Sequence, residues 1–378
     1  MFRAVAGSFR ALATHHRGSA LFLLALLAVL VLLYWPAASM QGVFYVGDIY
    51  RLGYPARHEY AVAWRQGRVP LWTPNALGGY PVLAEGQTGA YYPFNLLLYR
   101  VLPLPVALNL SILLAFWMAG AGTYVYVRSL GLRRLPAFLA GCIFMLGGFL
   151  PGHLNHLNML AAVAWLPFLL WAVGEASRRA TWRRWLVVGL FFGLQGLAGH
   201  PQVSLLSALL AVAQAALGPL AGLSLHFNPR RQAKQVVVCG VALLLGAALA
   251  SVQWAPTYEL TRMSQRGRGL DLEFFTSFSL HPAHFVTMLW PFIQGNPYPL
   301  TSLETIGYVG ALPLVFAIAA PLRRRNRTAT FWGGVAIGAL LLSLGGWNPV
   351  YRWFMYVPVF NMFRAPARYL LWLNLAIA

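Results

Sequence analysis

Asp48 is one of only eight acidic residues in a chain of 378 that carries 28 lysines and arginines. It stands in "GDIYRLGYPARHEYAVAWRQGRVPLWTPN", a polar and aromatic stretch that follows an apolar run. A carboxylate held there has two chemical uses, as general base toward a hydroxyl or as ligand for a hard cation such as Mg2+ or Mn2+. Its ordinary alternatives are to cap the helix that follows or to pair with Arg51. Glu85 in "LAEGQTG", a turn among apolar residues, is the second candidate carboxylate. It either completes a metal site or meets an acceptor together with Gln87. Glu59 lies near local arginines such as Arg57 and reads as a solvated face charge.

Nitrogen-bearing side chains cluster in other short segments. "GHLNHLN" holds His153, Asn155, His156 and Asn158, and "AGHPQ" holds His200 and Gln202. Neither has the carboxylate-rich spacing of a metal site, so His153 and His156 read first as hydrogen-bonded polar groups at a membrane surface. His281 and His284 stay open between ligand and surface roles. Arg364 and Arg368 in "FRAPARY" are four residues apart, so on a helix start both cations face one side and suit a phosphate group. Their alternative is to anchor the next span to lipid headgroups.

These residues must be positioned by elements that live in a bilayer. Hydrophobic residues make up 59% of the chain, charged residues 10%, and the mean hydropathy is +0.62, which excludes a water-soluble domain. Crossing about 30 Å of hydrocarbon takes roughly 20 apolar residues. Ten runs qualify as candidates, near 19–38, 102–127, 135–151, 157–174, 185–199, 202–222, 236–256, 306–321, 329–345 and from 368 onward. The first, "LFLLALLAVLVLLYW", reads as an anchor and not as a cleaved leader. The last covers about 15 Å of a roughly 30 Å core before Ala378, so the chain is expected to continue beyond that residue. The expectation is an all-α membrane protein, one transmembrane domain over 1–378 built as a bundle of about ten helices.

Cations set the orientation, because short cytoplasmic loops gather Lys and Arg. With the N-terminus inside, the inner face receives Arg3, Arg10, Arg17, Arg128, Arg133, Arg134, Arg178, Arg179, Arg183, Arg184, Arg230, Arg231, Lys234, Arg323, Arg324, Arg325 and Arg327. These are 17 of the 28 cations, accompanied by Glu175 alone among the acids, and the other seven acids fall outside. The net charge of +20 is thus explained by topology and headgroup contact, and nucleic acid is disfavoured as a partner. Cys142 and Cys239 both fall in apolar runs, which excludes a disulfide framework and a CxxC metal site.

The outer surface then carries nearly all the chemistry. Its largest piece is the loop over about 39–101, where "YPARHEYAVAWRQG" predicts a short amphipathic helix on the membrane with Ala56, Tyr60, Ala63 and Trp64 along one side. The rest of that loop, dense in Pro, Gly, Trp and Tyr, is expected to fold irregularly at headgroup depth. A second outer loop spans about 257–305 and holds four acids, three arginines and two histidines.

The order of Asp48, "GRVPLWTPNALGGYP", "YYPFNLLL", "GHPQ", "HPAHFVTMLWP", "YVGALPL" and "FRAPARYL" resembles the YfhO-like bacterial membrane proteins. Those proteins resemble GT-C glycosyltransferases, which take a sugar from a polyprenyl-phosphate donor on the outer side of the cytoplasmic membrane. The resemblance implies a GT-C-like bundle, Asp48 as base or metal ligand with Glu85 beside it, and an acceptor hydroxyl on a cell-envelope glycan, lipid or protein. It implies substrate contacts from His200, Gln202, Gln87 and Tyr91, and tips Arg364 and Arg368 toward a donor phosphate. Two other classes stay open. A lipid or polysaccharide transporter predicts repeated halves and charges within spans, and a non-catalytic assembly protein predicts glycan or lipid binding without turnover.

Overall fold

The computed structural model describes residues 2–218, 220–222, 227–268, 270–295, 302–322 and 326–378, with side chains from residue 18 onward except those of 268 and 322. Arg323, Arg324 and Arg325 lie outside the described residues, as do the side chains of Arg3, Arg10 and Arg17. Helices and turns make up the described chain, and its β-type pairing is an isolated antiparallel bridge between Thr73 and Tyr80.

Among the described residues, four helices are long and apolar enough to cross a membrane: Leu104–Ser129, Arg134–Gly152, Leu157–Arg178 and Pro229–Met263. Gly18–Leu33, Pro201–Ala216 and Ala311–Pro321 are apolar but shorter. Helices Trp182–Leu197, Arg327–Ser343 and Leu370–Ile377 occupy the remaining expected runs. Each run is therefore helical, while length and composition support four crossings. Local sequence explains several starts. Pro201 and Pro229 sit in first turns, and Asn228 and Asn326 accept hydrogen bonds from the N–H groups of Arg231 and Ala329.

Small residues and buried amides hold the helices together, as expected where lipid removes the hydrophobic drive between them. Gly189 and Gly193 face Ala242 and Gly246, so close that an added Cβ at Gly189 would lie 2.7 Å from the Ala242 carbonyl oxygen. Gly120 and Gly141 do the same between Leu104–Ser129 and Arg134–Leu146. Gln195 Nε2 donates to the Ala162 carbonyl at 2.8 Å, and Gln214 Nε2 to that of Leu170 at 2.8 Å. Both amides are fully buried, where a neighbouring carbonyl is the partner that water would otherwise supply.

The cationic end is tied by its own contacts. Glu175 receives Arg178 at 2.9 Å and Arg184 at 3.5 Å, and Arg231 donates to the Ser177 carbonyl at 3.1 Å. Glu175 thus neutralises part of a cluster that the alternation of charge had gathered.

The long first loop is folded onto the opposite end. Its helix Tyr54–Arg65 buries Arg57, Tyr60, Ala61 and Ala63, so Arg57 and Ala61 replace Ala56 on the expected buried side and Trp64 is half-buried. Arg65 fastens that helix to the next by donating to the carbonyls of Arg100 at 3.3 Å and Leu102 at 2.5 Å. Loop and bundle meet at glycines. Gly199 has φ +83°, and a Cβ there would collide with the Gly86 carbonyl oxygen. Gln253 Nε2 donates to the Leu83 carbonyl at 2.8 Å, adding a third segment to this contact.

Gly199→Ala should therefore lower stability by about 2 to 4 kcal/mol, because backbone strain and a collision add. Gly67, with φ +70° and nothing within 4 Å, is the control for strain alone, and Gly67→Ala should cost about 1 kcal/mol. Thermal unfolding in detergent compares the two, and equal losses would refute the close packing.

Candidate functional site

Four segments converge at the loop-covered end: the turn 147–156, the turn 199–202, the segment 302–310 and the segment 364–369. Glu304 is their common partner. It is 6% exposed and accepts two hydrogen bonds from Arg368, Nε at 2.9 Å and Nη2 at 2.5 Å. His153 Nε2 lies 2.9 Å from Glu304 Oε2, and His153 Nδ1 lies 2.7 Å from the Phe149 carbonyl oxygen. Both ring nitrogens thus face oxygen atoms. Hydrogen bonds from His153 and Arg368, with their charges, outweigh burial and hold the Glu304 carboxyl far below the usual carboxylate range. Arg368 Nη1 donates to Gln202 Oε1 at 2.7 Å, and Gln202 Nε2 donates to the Arg364 carbonyl at 2.7 Å.

His153, His156 and Glu304 form the one group of three such ligands among the described residues, with ligand atoms within 4.8 Å of one another. Its lone pairs are already engaged, since both Glu304 oxygens face Arg368 and both His153 nitrogens face oxygens. The arrangement is an ion-pair network and does not fit a metal.

His156 connects this network to Asp48. Its Nε2 is 3.8 Å from Asp48 Oδ2, and the Asp48 side chain is 49% exposed, open enough to meet a substrate. Burial, and then the charge of His153, push the His156 imidazole down to about 4, so the ring is neutral at physiological pH. Asp48 precedes the π-helical turn Ile49–Gly53 without a side-chain cap bond, and Arg51 turns to the Tyr50 hydroxyl at 2.9 Å. Neither ordinary role expected of this carboxylate is taken up. Its close partner is an imidazole and not a set of oxygens, which suits a base better than a Mg2+ or Mn2+ ligand.

Asp48 borders a cleft of about 250 Å³ together with Arg57, Glu59, Glu85, Gln87 and Asn155. Glu59 is not the solvated charge its helical position suggests. It accepts from Thr73 Oγ1 at 2.6 Å and from Asn75 Nδ2 at 3.1 Å, and so pins the loop across the cleft. Glu85 accepts from the Gln87 N–H at 3.0 Å and from Gln87 Nε2. Burial pushes its carboxyl up to about 7, against the pull of Gln87, Arg57 and Tyr80.

The remaining expected contacts separate. His200 is buried, and its Nδ1 accepts from the Val203 N–H at 3.2 Å, so it caps Pro201–Ala216. Burial first, then nearby cations, hold its imidazole well below the ordinary histidine range. Tyr91 packs edge-on against Trp64 at 5.6 Å, away from the cleft lining. Arg364 and Arg368 do not share a helix face, because Ala365 is left-handed at φ 62° and the short 3-10 turn begins at Pro366. Arg368 belongs to Glu304. Arg364 stacks over Phe274 at 4.8 Å and Phe278 at 5.3 Å. Arg266 sits over the same Phe274 ring at 5.9 Å and lines a second cavity of about 310 Å³ with Asp271. Its guanidinium is pushed down by burial and then by Arg364 and Arg368.

Arg57 entered the sequence reading only as a neighbour of Glu59, and Glu304 and Arg266 were given no role there. Glu304 carried one legible sign, a lone acid between apolar segments; the others look like ordinary surface arginines. No family model, curated protein or solved structure matches this chain.

Glu304→Gln leaves Arg368 buried without its counter-charge and should lower stability by about 3 to 5 kcal/mol, measured by thermal unfolding. Glu85 runs the other way with pH. A carboxyl raised from the usual 4.5 to about 7 contributes stability present at low pH and lost as pH rises through 7. Glu85→Gln should therefore be stabilising by about 2 kcal/mol at pH 8 and neutral at pH 4, and a pH-independent effect would refute that assignment.

Proposed function

We propose that this chain is a multi-pass glycosyltransferase of the GT-C kind, related to the YfhO-like proteins it resembles. It moves a sugar from a polyprenyl-phosphate donor to a hydroxyl of a cell-envelope glycan, lipid or protein. The reaction takes place at the loop-covered end, on the outer face of the cytoplasmic membrane, and the cationic end faces inward. Of the expected ten spans, the four long apolar helices are the part that length and composition support, and the proposal extends crossing to the other runs.

One observation carries the reading: the Asp48 carboxylate is uncapped, unpaired with Arg51, half-exposed and on the wall of a cleft. An acceptor hydroxyl entering the cleft passes its proton to Asp48 as its oxygen bonds to the anomeric carbon. The anomeric carbon–oxygen bond to the lipid phosphate breaks, and the phosphate leaves with the electron pair. Charge growing on that phosphate needs fixed cations. Arg364 and Arg266, held over Phe274 and without a carboxylate ion pair among the described residues, suit that task in place of the expected Arg364 and Arg368 pair. Mg2+ or Mn2+ is not required by this scheme.

The measurement is donor-dependent sugar transfer by purified protein. Asp48→Asn keeps shape and removes the base, and should lower transfer by about 10²-fold or more with the protein still folded. Activity within a few-fold of the parent would return Asp48 to a structural role.

A further inference from the structure

Arg57 is 3% exposed, yet it borders the cleft. Its bonds do not match its charge. Nη1 donates to the Gly53 carbonyl at 3.4 Å, the guanidinium meets Tyr99 with its centre 5.8 Å from that ring, and its charge acts on Glu85 from beyond ion-pair distance. Nε has no hydrogen-bond partner, and among the described residues no carboxylate stands within ion-pair distance of it. Glu59 and Glu85, the acids sharing that wall, are held by Thr73 and Asn75 and by Gln87. A second wall residue, Asn155, also has a buried orphan, its Oδ1. Native folds rarely leave such groups unmatched unless something else matches them. A buried guanidinium asks for an oxyanion, and an orphan carbonyl oxygen asks for a hydroxyl or N–H.

We infer that the cleft takes a hydroxyl-bearing molecule that also carries an oxyanion, carboxylate or phosphate, with the negative charge seated at Arg57 and a hydroxyl at Asn155. This deepens the reading of the cleft as the acceptor side and rests on it for that role alone. The other ionisable groups on the wall are Asp48, Arg51, Glu59, Tyr80 and Glu85. Three carboxylates beside one buried cation would repel an incoming anion if all were ionised. Glu85 relieves this by holding its proton up to about pH 7. Anion binding is therefore tighter below neutrality, and the bound anion in turn favours protonated Glu85.

Calorimetry on the full chain in detergent tests this without any transfer reaction. The probes are glucose, glucose 6-phosphate and glucuronate. At pH 6 at least one anionic sugar should bind about tenfold or more tighter than glucose, the margin of a charge-assisted hydrogen bond over a neutral one. Which anion prevails separates a phosphate from a carboxylate acceptor. Glucuronate stays ionised over the range, so its several-fold weakening from pH 6 to pH 8 reports the protein, and Glu85→Gln should abolish it. Arg57→Gln should erase the preference for the anion, while Arg57→Lys, which keeps charge in a buried site, should retain part of it. Equal binding of all three sugars, no binding of any, or an undiminished preference in a folded Arg57→Gln would each overturn the inference. Transfer can fail while this binding persists, and the reverse, so the two readings fall separately.

Discussion

The loop-covered end depends on one buried carboxylate. An ion pair removed from water is stable only when its geometry is good and its remaining lone pairs are occupied. Glu304 meets both conditions, with a forked Arg368 on its two oxygens and His153 on one of them. Through Gln202 the same network reaches the backbone of Arg364, so segments more than 150 residues apart in sequence are fixed by a few charge-assisted bonds. Its chemical consequence is felt at His156. Burial, and then the cationic side of the network, keep that ring neutral, leaving an uncharged imidazole next to Asp48.

Glycine contacts serve the same end by a different means. Where Gly199 meets Gly86, two backbones touch with no side chain between them, and the loop that carries Glu85 and Gln87 is pressed onto the bundle. A cleft wall made this way is stiff, because packing of backbone against backbone leaves no rotamer to relax. The bridge between Thr73 and Tyr80, and the grip of Glu59 on Thr73 and Asn75, close the loop from the other side. The position of Asp48 is thus decided by the bundle, by the loop and by the ionic network at once.

Much of the fold was legible because apolar runs and arginine clusters obey strong physical rules. The helices, the gathering of Arg178, Arg184 and Arg231 with Glu175, and the amphipathic helix after Pro55 follow from hydropathy, charge and periodicity alone. The site was half legible. Asp48, Glu85 and Gln87 do share one cleft, since nearness in sequence kept them in one loop. What sequence does not encode locally is the partner across space. Nothing near Arg368 foretells Glu304, 64 residues away, and the four-residue spacing of Arg364 and Arg368 misled because Ala365 breaks the helix between them. His200 was read by its neighbours Gly199 and Pro201, and those same neighbours make it a helix cap.

The scarcity of acids sharpens the role of each one that faces the cleft or its supporting network. Glu304 is ionised but bound to Arg368 and His153, and a carboxylate so strongly paired is too weak a base to take a proton from a hydroxyl. Glu85 has the higher proton affinity, but its oxygens are held by Gln87 and it is half protonated near neutrality. Glu59 is fastened to the loop by two donors. Asp48 alone of these four combines exposure, freedom from a cap and an adjoining ring that stays uncharged. A base must be accessible and must not be neutralised by a fixed cation, and of these four acids Asp48 is the one that meets both demands of the proposed role.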